Sequence, residues 1–182
     1  PAPGSDIAAL LVFDHQVTMH HRLVEASYRA RQSLFDSKLD PEETDVGKLA
    51  KGRSHEEFLE GRDKVVDYML FRGEVAIPKV SADPGFRRAF TANRLSDRKR
   101  RSLKDLRLDG RIFETRCSYM IYSPSFAELP PMMKGAIYKR LHEILSSAQP
   151  IEGYEYLEPD EKQRILEILG DTKDDLPPNW VS

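Results

Sequence analysis

DIAALLVFDHQVTMHHRLVEASYRARQSLF, from Asp6 to Phe35, contains neither glycine nor proline. Within it Leu10, Phe13, Val17, Val24, Tyr28 and Phe35 recur at about 100° per residue, the pattern of an amphipathic helix. The stretch therefore reads as one long helix with these six side chains on its core-facing side. Ser5 is its expected N-cap, because a hydroxyl there can accept from an unpaired N–H of the first turn. Asp6 adds a negative charge at the positive end of the helix dipole. Arg22, Arg29 and Arg31 fall away from the centre of the apolar side.

Outward from this helix, Asp36 to Arg53 is a polar connection containing Pro41, Gly47 and Gly52, with Pro41-Glu42-Glu43 opening a turn. A second helix is predicted from His55 to about Phe71. Ser54 and Glu57 would form its capping box, Phe58, Val65, Val66, Tyr68, Met69 and Leu70 its apolar side, and Gly73 its stop. Glu74 to Pro84 reads as an extended loop and Pro84 to Asn93 as a short helix. Ser123-Pro124-Ser125 starts another short turn. Leu129-Pro130-Pro131 ends it and opens a helix to Ser146 carrying Met133, Ile137, Leu141, Ile144 and Leu145. Pro159, at a first helical position, opens the last helix, with Ile165, Leu166, Ile168 and Leu169 as its buried side and Gly170 as its stop. Arg111 to Tyr122 (RIFETRCSYMIY) is aromatic and β-branched. It has two readings, a short strand pair or a buried irregular loop.

The fold class that follows is mainly α: an irregular helical bundle of two long and two to four short helices with long loops, plus one short strand pair near 111–122 on the first of those readings. A chain of 182 residues, 40% hydrophobic, suits one domain. The expected organisation is a linker or mature N-terminus over residues 1–5, a helical domain over 6–170, and an extended tail over 171–182. The chain begins at Pro1 without an initiator Met and is expected to be a processed or excised piece. Long connections in so small a domain point to function or to a partner.

Composition excludes several classes. The net charge of −2 excludes a globally cationic nucleic-acid binder and an acidic-tail protein. No apolar run reaches the roughly 20 residues of a membrane-spanning helix. A single cysteine, Cys117, excludes an internal disulfide, a thiolate metal cluster and C-x-x-C-H haem attachment. With no histidine near in sequence to activate it, Cys117 reads as a buried structural thiol. G-x-S-x-G, H-E-x-x-H and glycine-rich phosphate loops are all missing, as are the Glu-x-x-His pairs of a di-iron bundle.

Three of the five histidines, His15, His20 and His21, lie in the first helix. Asp14, Thr18, His21 and Glu25 form a polar strip beside the apolar side. As a metal site, Asp14, His21 and Glu25 would supply two carboxylates and an imidazole; as a seam, they would pair with neighbouring helices. His20 borders the apolar side on its other edge, and His15 points away, near Arg22. A histidine at such a border can ligate a haem carried by another chain or by a segment upstream. His15, His20 and His21 are therefore the candidate haem contacts, with no intrinsic cofactor expected.

From Arg87 to Arg116 there are 11 Lys and Arg against 4 Asp and Glu. Arg87, Arg88, Arg98, Lys99, Arg100 and Arg101 are the candidate partner-binding residues. The neighbouring Phe86, Phe90, Phe113, Tyr119 and Tyr122 give residues 87–104 the look of a nucleic-acid surface. Asp97, Asp105, Asp109 and Glu114 interrupt it, however, and Glu152 to Asp175 holds 9 acids against 3 bases. Pairing between these two regions, or docking onto an acidic partner, is the simpler account. Tyr119, Tyr122 and Phe126 read as core or interface packing.

Three stretches carry a resemblance. They are Ser5-Asp6-Ile7-Ala8-Ala9-Leu10 leading to Asp14-His15-Gln16; Cys117-Ser118-Tyr119-Met120-Ile121-Tyr122-Ser123 with Phe126 and Leu129-Pro130; and Ile165-Leu166-Glu167-Ile168-Leu169 with Asp171-Thr172-Lys173 and Leu176-Pro177. Together they resemble the C-terminal region of large uncharacterised exported bacterial proteins whose upstream parts include c-type cytochrome-like segments. The resemblance covers most of the chain and assigns no catalytic residue. It implies a periplasmic or surface location, whereas cysteine poverty by itself suits the cytoplasm equally. It also implies association with electron-transfer proteins, a c-type cytochrome foremost. The expected function is a non-catalytic accessory or interaction module of such an assembly. The alternatives are a metal-binding protein or enzyme using the first helix, and a nucleic-acid-binding domain using 87–104.

Overall fold

The computed structural model describes residues 5–178 and residue 180, with the side chains of residues 5 and 6 outside the description. The predicted capping roles of Ser5 and Asp6 thus lie outside the described side chains. Among the described residues there are six α-helices: α1 (Ser5–Asp36), α2 (Arg53–Met69), α3 (Pro84–Thr91), α4 (Pro124–Ala127), α5 (Pro131–Ser146) and α6 (Pro159–Thr172). The chain is a mainly helical, irregular bundle.

Local signals account for several starts. Asp83 accepts from the backbone N–H groups of Gly85 and Phe86 at the start of α3, and Ser123 accepts from Phe126 N–H at the start of α4. Proline occupies the first turn of α3, α4, α5 and α6, where its missing N–H has no helical partner to lose. Other ends differ from expectation. Ser54 does not cap α2: its hydroxyl donates to Asp36 of α1, while Glu57 pairs with Arg53 inside α2 itself. Gly73 does not stop α2 either. The helix ends at Met69, and Phe71 takes the left-handed conformation (φ 59°), with Arg72 N–H reaching back to Asp67 C=O. Gly170 lies inside α6, which continues to Thr172.

The strand reading of 111–122 is overturned. Among the described residues only isolated bridges occur, Leu106 with Phe113 and Ile77 with Gly110. The segment spends its backbone bonds elsewhere: Glu114 N–H donates to Asp105 C=O and Ser118 N–H to Met69 C=O, before Tyr119–Tyr122 close a 3-10 turn. β-propensity alone does not make a strand where no partner edge is offered.

The larger correction concerns α1. Its buried side is Ala8, Val12, His15, Met19, Leu23, Ala26, Ala30 and Leu34, while Leu10, Phe13, Val24, Tyr28 and Phe35, assigned to the core by their spacing, are exposed. Small residues face inward because α2 passes close: a Cβ added at Gly61 of α2 would lie 2.9 Å from Arg29 Cδ and 3.6 Å from Ala26 Cα. Leu and Tyr side chains have no room at such an approach. α5 closes the core with Met132, Met133, Ile137, Leu141, Ile144 and Leu145, and α6 adds Ile165, Ile168 and Leu169. Beyond α6, Trp180 folds back onto Tyr138 and His142 of α5 and is buried.

Candidate functional site

His15 does not point away near Arg22. It is 3% exposed, with its ring stacked between Tyr68 and Phe71 (centroids 5.3 and 4.9 Å) and edged by Phe113 and Tyr119. The left-handed turn at Phe71, just after α2, lays that residue's own ring on His15. Nε2 of His15 lies 2.8 Å from Ser118 Oγ, which also accepts from Met120 N–H. Burial without a carboxylate pushes the imidazole down to about 4, so it is neutral at pH 7. Nothing in the sequence tied Ser118, Tyr68 or Phe71 to His15, because contacts between residues so far apart in the chain leave no local signal.

His20 and His21 are exposed. His20 Nδ1 bonds Ser125 Oγ at 2.9 Å, next to a depression of about 360 Å³ lined also by Val24, Tyr28, Arg31 and Glu128. Asp14 is exposed as well. Glu25, by contrast, turns to the α1–α2 seam, where Oε1 meets Arg29 at 2.8 Å and Lys64 at 3.3 Å. These cations hold its carboxyl below the usual range despite the cost of its partial burial. Among the described residues no three His, Cys, Asp or Glu side chains gather as metal ligands. A haem held by this chain alone fits poorly too. The His15 cage is filled by rings, and His20 and His21 stand on open surface.

The basic middle is largely spent inside the molecule. Lys99 and Arg101 converge on Glu167 of α6, and Arg101 also holds the buried Asp97. Arg98 reaches Asp171 at 3.2 Å. Nearby, Glu161 takes Arg111 at 3.1 Å and Arg116 at 2.8 Å, and accepts from Arg116 N–H. Of the six cations singled out in the sequence, Arg87, Arg88 and Arg100 are exposed without a carboxylate among the described residues; Arg87 donates to Leu106 C=O. Cys117 is fully buried, which pushes its thiol up to about 12 and leaves it protonated. Tyr122 shares a hydrogen bond with Thr172, both half-buried at the edge of the core.

The largest unsatisfied feature is the outer side of α1. Leu10, Phe13, Tyr28 and Phe35 are each more than 60% exposed, and Ile7 and Val24 add to them. At its C-terminal end this side opens into a groove of about 560 Å³ between Leu34, Phe35 and Leu39 and the Leu129-Pro130-Pro131 corner. No protein-family model, curated protein or solved structure matches this chain. Among the described residues no helix is long and apolar enough to cross a membrane.

Proposed function

We propose that this chain is a non-catalytic helical interaction module, an accessory domain or subunit of an exported electron-transfer assembly that includes a c-type cytochrome. The observation that carries the reading is the outer side of α1. A helix of 32 residues presents large apolar side chains opposite the side it buries, and contiguous exposed apolar surface of this kind marks a contact site. The side chains with reactive chemistry support a non-catalytic role: His15 and Cys117 are sealed in the core, and Glu25 is neutralised by cations. The exposed Arg87, Arg88 and Arg100 supply a second, polar contact suited to an acidic face of the cytochrome-bearing partner. That partner, and the exported location, follow from the resemblance described above. Any haem belongs to the partner, whose edge would meet the exposed His20 rather than the buried His15.

The test is the elution of the native chain in its complex, read by size and by visible haem absorption. The variant Leu10→Glu/Tyr28→Glu is compared at equal thermal stability. Loss of the complex in the variant is the expected result. A chain that elutes alone, with or without the substitutions, overturns the proposal.

A further inference from the structure

The outer side of α1, exposed except at the half-buried Val17, has a strict order. Ile7, Leu10, Asp14, Val17, His21, Val24, Tyr28, Arg31 and Phe35 follow one another at alternating steps of three and four residues, the spacing of a coiled-coil seam carried over four heptads. This seam lies on the side of the helix opposite Ala8, Val12, Met19, Ala26 and Ala30, which face the core. It carries two full charges. Asp14 has no cation within salt-bridge distance among the described residues, and Arg31 has no carboxylate, only a 3.4 Å contact to Ser27 Oγ.

The order of the seam restricts what can cover it. In a parallel pair of α1 helices each residue meets its own copy. Asp14 would then face Asp14, His21 would face His21, and Arg31 would face Arg31. Like charges desolvated together are strongly unfavourable. In an antiparallel pair the layers join the two positions of the heptad. One register aligns Leu10 with Phe35, Val17 with Tyr28, Val24 with His21 and Asp14 with Arg31 of the other copy. It pairs both charges, gives every other layer at least one apolar member, and leaves only the terminal Ile7 opposite a position beyond the helix end, Lys38. A shift of one heptad in one direction sets Asp14 against Val24 and Arg31 against Ile7. A shift in the other direction sets Arg31 against His21 and Asp14 against Lys38, beyond the helix end at Asp36.

From this complementarity we infer that the occupant of the outer side of α1 is a second copy of this chain, joined antiparallel in a two-fold dimer with Asp14 of each copy on Arg31 of the other. The dimer deepens the interaction reading above and rests on it. An isologous pairing of this kind closes on itself and does not propagate. The two buried ion pairs act chiefly to fix register, since mispairing strands a charge. They leave Arg87, Arg88 and Arg100 free for a different partner.

Sedimentation equilibrium of the whole chain tests this. The chain is expected to dimerise, and Val17→Glu to abolish dimerisation without changing the helical content. Asp14→Arg and Arg31→Glu should each raise the dimer dissociation constant by roughly tenfold or more, and the double exchange Asp14→Arg/Arg31→Glu should restore it. Orientation is read by crosslinking. A mixture of Leu10→Cys and Phe35→Cys chains should form the mixed disulfide, and neither should link to itself. Self-linking of Leu10→Cys, or failure of the double exchange to restore pairing, overturns the antiparallel register. A chain that is monomeric at every concentration overturns the second copy. If that monomer still enters a mixed complex sensitive to Leu10→Glu/Tyr28→Glu, the interaction reading stands. If it does not, both fall.

Discussion

His15 Nε2 lies 2.8 Å from Ser118 Oγ, joining residues 103 apart in the chain inside a closed cage of aromatic rings. The pair ties the middle of α1 to the turn that precedes α4 and passes beneath the end of α2, where Ser118 N–H also donates to Met69 C=O. It is a structural clasp: both residues are buried, and among the described residues no carboxylate bonds the imidazole.

The clasp makes stability depend on pH. Burial holds the folded imidazole at about 4, against 6.5 for an exposed histidine, so between these values the unfolded chain binds the extra proton. Stability should be complete above pH 6.5 and fall as the pH drops toward 4, by about 3 kcal/mol in all. Urea midpoints measured across this range check it, and His15→Gln should flatten that part of the profile.

Glu161 is the counter-charge for two arginines at once, and its side chain is 7% exposed. Glu161→Gln leaves Arg111 and Arg116 without it and should cost about 3 kcal/mol. The Glu43–Lys48 pair lies on an exposed loop, and Glu43→Gln should leave the midpoint near that of the unmodified chain. Denaturant unfolding of the two variants side by side gives the comparison.

Cys117 should resist alkylation by iodoacetamide in the native state at pH 8, because it is both buried and protonated. Its labelling rate should rise only with global unfolding and track the denaturant curve. Rapid labelling in native buffer would show that the 111–122 segment opens on its own.

Trp180 covers Tyr138 and His142 although it lies near the end of the chain. Trp180→Ala should destabilise by about 3 kcal/mol. The same indole should report unfolding through its fluorescence, with a transition coincident with the loss of helical signal.

Docking to the proposed cytochrome-bearing partner should depend on Arg88 and Arg100. Charge reversal at both, Arg88→Glu/Arg100→Glu, should slow association and remove its dependence on salt. Reversal at Arg101 should instead lower stability, because that side chain is shared between Asp97 and Glu167. Association kinetics and thermal melts separate the two effects.

The helices themselves were legible in the residues. Pro131 to Ser146 was readable at both ends, and Pro84, Pro124 and Pro159 marked their starts, because proline, capping hydroxyls and periodic apolar residues act within one or two turns. The segregated charges were also visible, and so was the option of pairing the basic middle with the acidic end. Which arginine would meet Glu161 or Glu167 was not, because those partners lie 45 to 66 residues apart. RIFETRCSYMIY carried β-propensity but found its hydrogen-bond partners at Met69 and Asp105 rather than on a neighbouring strand.

The orientation of α1 was decided by tertiary structure alone. The helix is apolar on two opposite sides, and its largest side chains define the side that spacing assigns to a core. Packing chose the other, because α2 approaches through Gly61 so closely that Ala26 fits against it where a tyrosine does not. Sequence by itself determined that α1 would be a long helix with an apolar seam. Only the close approach of α2 decided that this seam would face outward and His15 inward.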